Sequence, residues 1–170
     1  MDYKKYVEAI KQKDEQAFEA IYYDTRYVVY SMITSIIKDR FLAEDIMQEV
    51  YMRMVEKINY YNPKYKFINW LLTLTKNYCI DYLKRKKEVL LESDIIDLHQ
   101  EEIKEEKSVL DMNKYLSVLD DLEKQVVLLK IVQDLKHKDI ALVLDKPLGT
   151  ILWIYNKAIK KMKKEVKDED

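Results

Sequence analysis

Apolar residues recur three or four positions apart along most of the chain, a spacing that places them on one face of a helix. The pattern starts after Asp14, a favourable N-cap residue, and runs to Ile36. It predicts further helices at about 42–58, 67–87, 109–119, 122–133, 137–144 and 148–166. Residues 89–107 are acidic and weakly patterned, and they predict a linker.

Glycine and proline are scarce, and this scarcity narrows the possible fold classes. Gly149 is the one glycine among 170 residues, and there are two prolines. Strand hairpins, Rossmann turns and phosphate-cradling loops need glycine where the backbone takes positive φ. We therefore predict an all-α protein: two small helical domains, at 1–88 and 108–170, joined by an acidic linker at 89–107.

The residue types that build catalytic and metal sites are also scarce. Cys79 is the single cysteine, and His99 and His137 lie too far apart for metal-ligand spacing. Neither histidine has a suggestive partner, and the carboxylates are too numerous to single one out. We predict no enzyme activity, no metal and no cofactor. The lone cysteine, and the lack of about 18 consecutive apolar residues, predict a cytoplasmic protein without membrane insertion.

Charge is segregated although the formal net charge is only −1. Residues 76–87 hold five basic side chains and one acidic one, and residues 156–167 hold six lysines and one glutamate. The acidic stretch between them, 88–106, has eight acidic side chains and one basic one. Two basic patches that flank an acidic connector are compatible with local nucleic-acid contacts.

Residues 139–160 have the spacing of a helix-turn-helix. Ile140, Ala141 and Leu144 would pack the first helix, and Pro147 fixes φ near the start of the second. The outward face of the second helix, directed at a DNA major groove, would carry Thr150, Leu152, Trp153, Ile154, Lys157, Lys160 and Lys164. The alternative is an ordinary helical hairpin with a lysine-rich, solvated face.

Aromatic rings and lysines are interleaved just before and within the start of the helix at 67–87. Rings of this kind stack on unpaired bases while cations hold phosphates. The predicted single-strand surface comprises Tyr60, Tyr61, Lys64, Tyr65, Lys66, Trp70, Asn77, Lys84 and Arg85. Alternatively, most of these rings belong to the core, as we expect for Phe67.

A polar ridge lies on the helix at 42–58, opposite its apolar side. Glu44 and Gln48, like Asp45 and Glu49, are four residues apart. Such a face is often merely solvated, but a place beside a DNA-binding surface favours a protein partner. We call these four residues the acidic ridge.

Four segments taken in order resemble a sigma factor of the extracytoplasmic-function (ECF) type, a promoter-recognition subunit of bacterial RNA polymerase. They are residues 17–30, residues 43–51 (AEDIMQEVY), residues 67–71 (FINWL) with Asn77, Asp81 and Arg85, and residues 139–158. The resemblance implies core RNA polymerase and promoter DNA as partners. It leaves open whether an anti-sigma factor is another.

The resemblance also implies roles for the predicted sites. The acidic ridge would contact a coiled coil in the largest polymerase subunit. Residues 59–66, with Trp70 and Asn77, would capture an unpaired base of the minus-ten element, and Lys84 and Arg85 would hold its backbone. The second helix of the helix-turn-helix would read the minus-thirty-five element. The polymerase flap would dock around Leu116, Leu119, Val126 and Val127.

Two departures from the family pattern bear on structure and on specificity. Aspartate stands at 134 and 145 where glycine is usual, so both must adopt left-handed geometry, which aspartate tolerates comparatively well. The apolar Leu152, Trp153 and Ile154 reduce hydrogen-bond readout of bases and favour contact with thymine methyl groups. The alternatives to a sigma factor are a stand-alone helix-turn-helix regulator and a protein that sequesters polymerase. The aromatic segment favours the sigma factor.

Overall fold

A computed structural model describes residues 2–92 and 115–167, here called the N-terminal and C-terminal lobes. The helices are α1 (Tyr3–Lys11), α2 (Glu15–Ile36), α3 (Arg40–Lys57), α4 (Phe67–Glu92), α5 (Asp121–Val127), α6 (His137–Leu144) and α7 (Leu148–Lys167). A 3-10 turn, Ile58–Tyr60, follows α3, and a π-helical turn, Leu128–Val132, continues α5. These two ranges contain no strand, and the all-α class is confirmed.

The predicted linker is corrected at its start. The backbone of α4 continues to Glu92, so residues 89–92 are helical rather than part of a connector. The rest of that linker lies outside the described residues. The predicted helix at 109–119 lies outside them as well, except at 115–119, of which 115–117 are helical.

Aspartate side chains cap the N-termini of several helices. Asp14 accepts a hydrogen bond from the Ala17 backbone N–H at 3.0 Å, as its position predicted, and Asp39 does the same for Leu42 at 3.1 Å. Asp120 and Glu123 form a reciprocal capping box at the start of α5. Each cap satisfies a backbone N–H that has no partner within the helix.

Tight turns form without glycine. Asp134 and Asp145 have φ of 47° and 53°, which confirms the left-handed geometry expected of them. Lys13 also has positive φ, 63°, between α1 and α2. Helix α1 was not predicted, because its apolar anchors are few. It forms over Val7 and Ile10, which are buried against α2.

The core of the N-terminal lobe lies between α2, α3 and α4. Its buried apolar side chains include Ile21, Val29, Ile33, Ile46, Val50, Met54, Leu71 and Leu72. One buried polar pair crosses it, the hydroxyls of Thr25 and Tyr51 at 2.7 Å. Burial raises the pKa of Tyr51, so the pair remains neutral.

The C-terminal lobe packs directly on the N-terminal lobe. Helix α6 lies along α4, and α5 with its π-helical turn lies against α2. Val126, Leu129, Ile140 and Leu144 consequently belong to the same continuous apolar core as Val28. The sequence predicted two lobes, and the tertiary structure adds that they share buried surface.

Candidate nucleic-acid interface

The segment before α4, residues 59–66, presents aromatic and basic side chains to solvent; we call it the capture loop. The side chain of Tyr60 is 83% exposed and that of Tyr65 is 64% exposed. Lys64 is also exposed, and Lys66 has about half of its side chain in solvent. Two exposed rings and the exposed cation of Lys64 thus lie on one short loop, as single-strand binding requires, while the Lys66 ammonium is paired with Asp139.

Tyr61 is different, and the prediction that it offers its ring to a base is wrong. It is only 6% exposed, with its ring 5.5 Å from that of Phe67 and 5.4 Å from that of Trp70. Its hydroxyl donates a hydrogen bond to the Tyr65 carbonyl at 2.6 Å, and burial raises its pKa. Tyr61 therefore shapes the capture loop from beneath.

Trp70 sits at the edge of this aromatic cluster. It is half-buried, with its ring tilted against Phe67 at 5.6 Å, while Phe67 itself is buried as expected. Asn77 and Lys84 follow at intervals of seven residues, two helical turns each, so they share its side of α4. Both are exposed. Trp70 thus links the capture loop to a polar stripe along α4.

An open groove between α3 and α4 carries the basic end of that stripe. Lys84 and Arg85 line it together with Arg53 of α3, whose guanidinium stacks on the Tyr78 ring at 4.6 Å, and the carboxylates of Asp81 and Glu88 line it too. Arg53 was missed from the sequence because it is a single cation between the apolar Met52 and Met54, outside either basic patch. Only the packing of α3 on α4 places it beside the other two cations.

The outward face of α7 is more apolar than its lysine content suggests. Trp153 is 63% exposed and Leu152 is 40% exposed, with Lys160 also in solvent and Thr150 half-buried. Ile154, expected on this face, is only 5% exposed, because it turns towards the core. The exposed surface of α7 is therefore narrower than predicted.

Lys157 forms ion pairs with carboxylates of the same lobe. Its Nζ lies 2.9 Å from Glu123 and 3.9 Å from Asp120, and it stands 5.2 Å from the centroid of the Trp153 ring. Lys161 reaches the other oxygen of Glu123 at 2.6 Å. Lys157 was predicted on the outward face, and in this structure its charge there is already paired.

Glu123 is the buried centre of this cluster, with 1% of its surface exposed. Burial alone would raise its pKa. Hydrogen bonds from Lys161 and from the Asp120 backbone N–H, together with the ion pair to Lys157, outweigh burial and hold the pKa at about 2. The carboxylate stays charged and fixes α7 to the start of α5.

The acidic ridge is exposed along its whole length. Beneath it Ala43, Ile46 and Val50 are buried, so α3 keeps a dry inner face and a charged outer one. Within the described parts of the chain, no ion pair involves its carboxylates. The large apolar side chains Phe41 and Met52 are exposed on the same helix. This combination suits a protein surface better than DNA.

The proposed flap surface is not open in this arrangement. Leu119, Val126 and Val127 are at most 4% exposed and form part of the core, while Leu116 is half-buried.

None of the helices in the described ranges is both long and apolar enough to span a bilayer.

Comparison with known proteins decides the family. Residues 22–89 match the model of sigma-70 region 2. The chain is 33% identical over 128 residues to the ECF RNA polymerase sigma factor SigM of Bacillus subtilis, covering 69% of this chain and 75% of that protein. The chain is an ECF RNA polymerase sigma factor. The matched region includes the acidic ridge, the capture loop and most of α4.

Other relatives extend the likeness of this sigma factor to both lobes. SigW of Bacillus subtilis is 23% identical in an alignment that covers 97% of each chain. The solved structure of the sigma factor RpoE, in complex with the anti-sigma factor NepR from Bartonella quintana, has a TM-score of 0.69 at 17% identity, covering 88% of this chain and 96% of that one. CnrH, in complex with the cytosolic domain of CnrY, has a TM-score of 0.67 at 14% identity, covering 97% of each. The sigma factor thus shares an all-α fold with both.

Proposed function

We propose that this sigma factor binds core RNA polymerase through the acidic ridge, opens promoter DNA with the capture loop and α4, and anchors the upstream element with α7. The observation that carries the proposal is the capture loop, in which exposed rings and cations rest on a buried aromatic cluster. The chain supplies specificity and strand opening, while the polymerase supplies the chemistry. It therefore acts in the cytoplasm, with no catalytic site, cofactor or metal of its own.

The capture loop is built to hold an unpaired base. Tyr60 and Tyr65 offer faces for stacking, which contributes about 1–3 kcal/mol per base. Lys64 would neutralise a neighbouring phosphate, and Lys66, which is paired with Asp139 in this structure, would neutralise another once that pair is broken. Because Tyr61 holds the Tyr65 carbonyl, the loop is shaped before DNA arrives, and less ordering entropy is lost on binding.

The strand then continues along α4. Trp70 and Asn77 lie between the capture loop and the groove that holds Lys84 and Arg85. We add Arg53 to the cations that contact the backbone there. These contacts are independent of sequence and sensitive to salt, so they contribute affinity while the captured base contributes specificity.

The upstream element would be read by an apolar contact. Leu152 and Trp153 are exposed apolar side chains of α7, and they suit the methyl group of thymine. Thr150 and Lys160 are the polar groups left to contact bases or phosphates. Lys157 is held by Glu123 and would contribute less than its position suggests.

The acidic ridge would bind the polymerase. Its carboxylates repel DNA but complement a basic protein surface, and Phe41 and Met52 supply apolar area beside them. An anti-sigma factor is a candidate further partner, since two sigma factors of similar fold are described in complexes of that kind.

Run-off transcription with core polymerase on promoter DNA tests the proposal. We expect Tyr60→Ala combined with Tyr65→Ala to lower the yield of open complex about tenfold or more, because two stacking faces are lost. Reactivity of unpaired thymines to permanganate measures opening, and co-purification measures polymerase binding, which should be unchanged. The matched control is Tyr27→Ala, another exposed tyrosine, 68% exposed on α2.

The same assay separates the alternatives. A stand-alone regulator would bind duplex DNA without polymerase. A sequestering protein would bind polymerase, yet its activity would not depend on Tyr60, Tyr65 or Trp70. Failure of the chain to direct opening at any promoter tested would contradict the sigma-factor mechanism.

A further inference from the structure

The contact between the two lobes has a buried charged centre. Asp139, in the first turn of α6, is only 4% exposed. One of its carboxylate oxygens accepts a hydrogen bond from Lys66 Nζ at 2.5 Å, and the other accepts one from Asn69 Nδ2 at 3.1 Å. Both donors belong to the N-terminal lobe, at the end of the capture loop and the start of α4. We call these three residues the latch.

The latch uses a residue that the proposed function assigns to DNA. Lys66 can neutralise either a phosphate or Asp139, and the pairing with Asp139 leaves it unavailable to the captured strand. Around the latch, α6 covers part of α4, and Ile140 and Leu144 are buried in the shared core. The closed arrangement therefore competes with DNA at the capture loop itself.

The spacing of the two promoter elements is also incompatible with the closed arrangement. The minus-ten and minus-thirty-five elements are separated by about 25 base pairs, or about 85 Å of helix axis at about 3.4 Å per base pair. A compact chain of this length has a radius of gyration of only about 16 Å. With α6 packed on α4, α7 cannot reach the upstream element while the capture loop holds the downstream one. The lobes have to separate.

The closed contact is also poised to open. Asn69 Oδ1 is buried without a hydrogen-bond partner, which destabilises the closed contact. On separation, water can satisfy that oxygen, the Asp139 carboxylate and the Lys66 ammonium. A contact with such a defect is easier to reverse than a fully satisfied core.

We propose that Asp139, Lys66 and Asn69 form an autoinhibitory latch that holds this sigma factor closed until polymerase and promoter separate the lobes. The proposal rests on the proposed function only for its consequence in transcription. The closed state itself is a property of the free chain. It can be measured without DNA or polymerase.

The test is a distance measurement between spin labels on the full chain, placed at Glu56→Cys on α3 and Lys163→Cys on α7. Both positions are exposed, whereas the native Cys79 is buried, with a pKa raised to about 12 by burial, and should remain unlabelled. We expect one short, narrow distance in the free protein. Asp139→Asn should raise the population with longer distances about tenfold, because a charge-assisted hydrogen bond is lost.

A second variant and a control keep the test independent of misfolding. Asn69→Ala weakens the latch from the other lobe without changing α6, and it should shift the distances in the same direction. Asp121→Asn removes the ion pair between Asp121 and Lys38, which also joins the two lobes. Both of these side chains are about 60% exposed. It should have little effect, as expected of an exposed pair.

Three results would overturn the latch: a broad distribution already in the unmodified chain, no change on Asp139→Asn, or equal opening on Asp121→Asn. If the distances behave as expected while run-off transcription fails, the latch stands and the proposed function falls. If transcription depends on the capture loop while the distances do not change, the proposed function stands and the latch falls.

Discussion

The capture loop and α7, the two proposed DNA contacts, present their side chains in opposite ways. The capture loop places Tyr60, Tyr65 and Lys64 in solvent over a buried aromatic cluster, so its rings and charges are free to act. In α7 the apolar Leu152 and Trp153 are exposed, while Lys157 is bound by Glu123. Opening a strand needs rings and free cations. Anchoring to an intact duplex can rely on shape and methyl contacts, with the charges used internally.

The largest effect on stability is expected at Tyr61, which lies beneath the capture loop and shapes it. Tyr61→Ala removes a buried ring from the cluster with Phe67 and Trp70 and should destabilise the N-terminal lobe by about 3–5 kcal/mol. Tyr61→Phe keeps the ring but loses the hydrogen bond to the Tyr65 carbonyl, and should cost about 1 kcal/mol. Urea unfolding measures both. Similar losses would show that the hydroxyl, not the ring, shapes the loop.

The next effect concerns the charge that secures α7. Glu123→Gln weakens the contacts with Lys157 and Lys161 and half of a capping box, and should destabilise the C-terminal lobe by roughly 2–4 kcal/mol. The matched control, Glu44→Gln, changes an exposed carboxylate of the acidic ridge and should leave stability within about 0.5 kcal/mol. An unchanged unfolding midpoint for Glu123→Gln would contradict the structural role assigned to this cluster.

Glu123 also predicts a dependence on acid. Its folded pKa, about 2, lies below the ordinary value of 4.5, so its stabilising effect is complete above about pH 4.5 and is lost as pH falls towards 2. Glu123→Gln should remove that part of the pH dependence. Thermal unfolding of both proteins between pH 6 and pH 2.5 would measure it. Parallel curves would argue against a depressed pKa.

The smallest effect tests the apolar character of the recognition helix. Trp153→Ala should weaken binding of the polymerase holoenzyme to an upstream element by about 1–2 kcal/mol, because a large exposed contact is lost. Lys157→Ala should weaken it less, since that cation is already paired. Competition binding at fixed salt compares the two. A larger loss for Lys157→Ala would reverse the contrast between the two regions.

Several structural features follow from local sequence. The bounds of α6 and the starts of α2 and α7 match the predicted ranges, because helical periodicity and capping residues act within a few positions. The left-handed Asp134 and Asp145 were predicted from the family resemblance instead, because glycine is usual at both positions. The π-helical turn after α5 has no such signal, and it was predicted as ordinary helix.

The sequence by itself thus determined the helical class, most helix bounds, the acidic ridge and the family. Tertiary structure alone decided which face of each helix is covered, since that depends on elements far along the chain. It buried Tyr61 under a loop of similar tyrosines, paired Lys157 with a carboxylate 34 residues earlier, and brought Arg53 to the basic end of α4. It also joined Asp139 to Lys66, 73 residues away, because α6 packs on α4. Periodicity identifies a surface, but only packing determines what touches it.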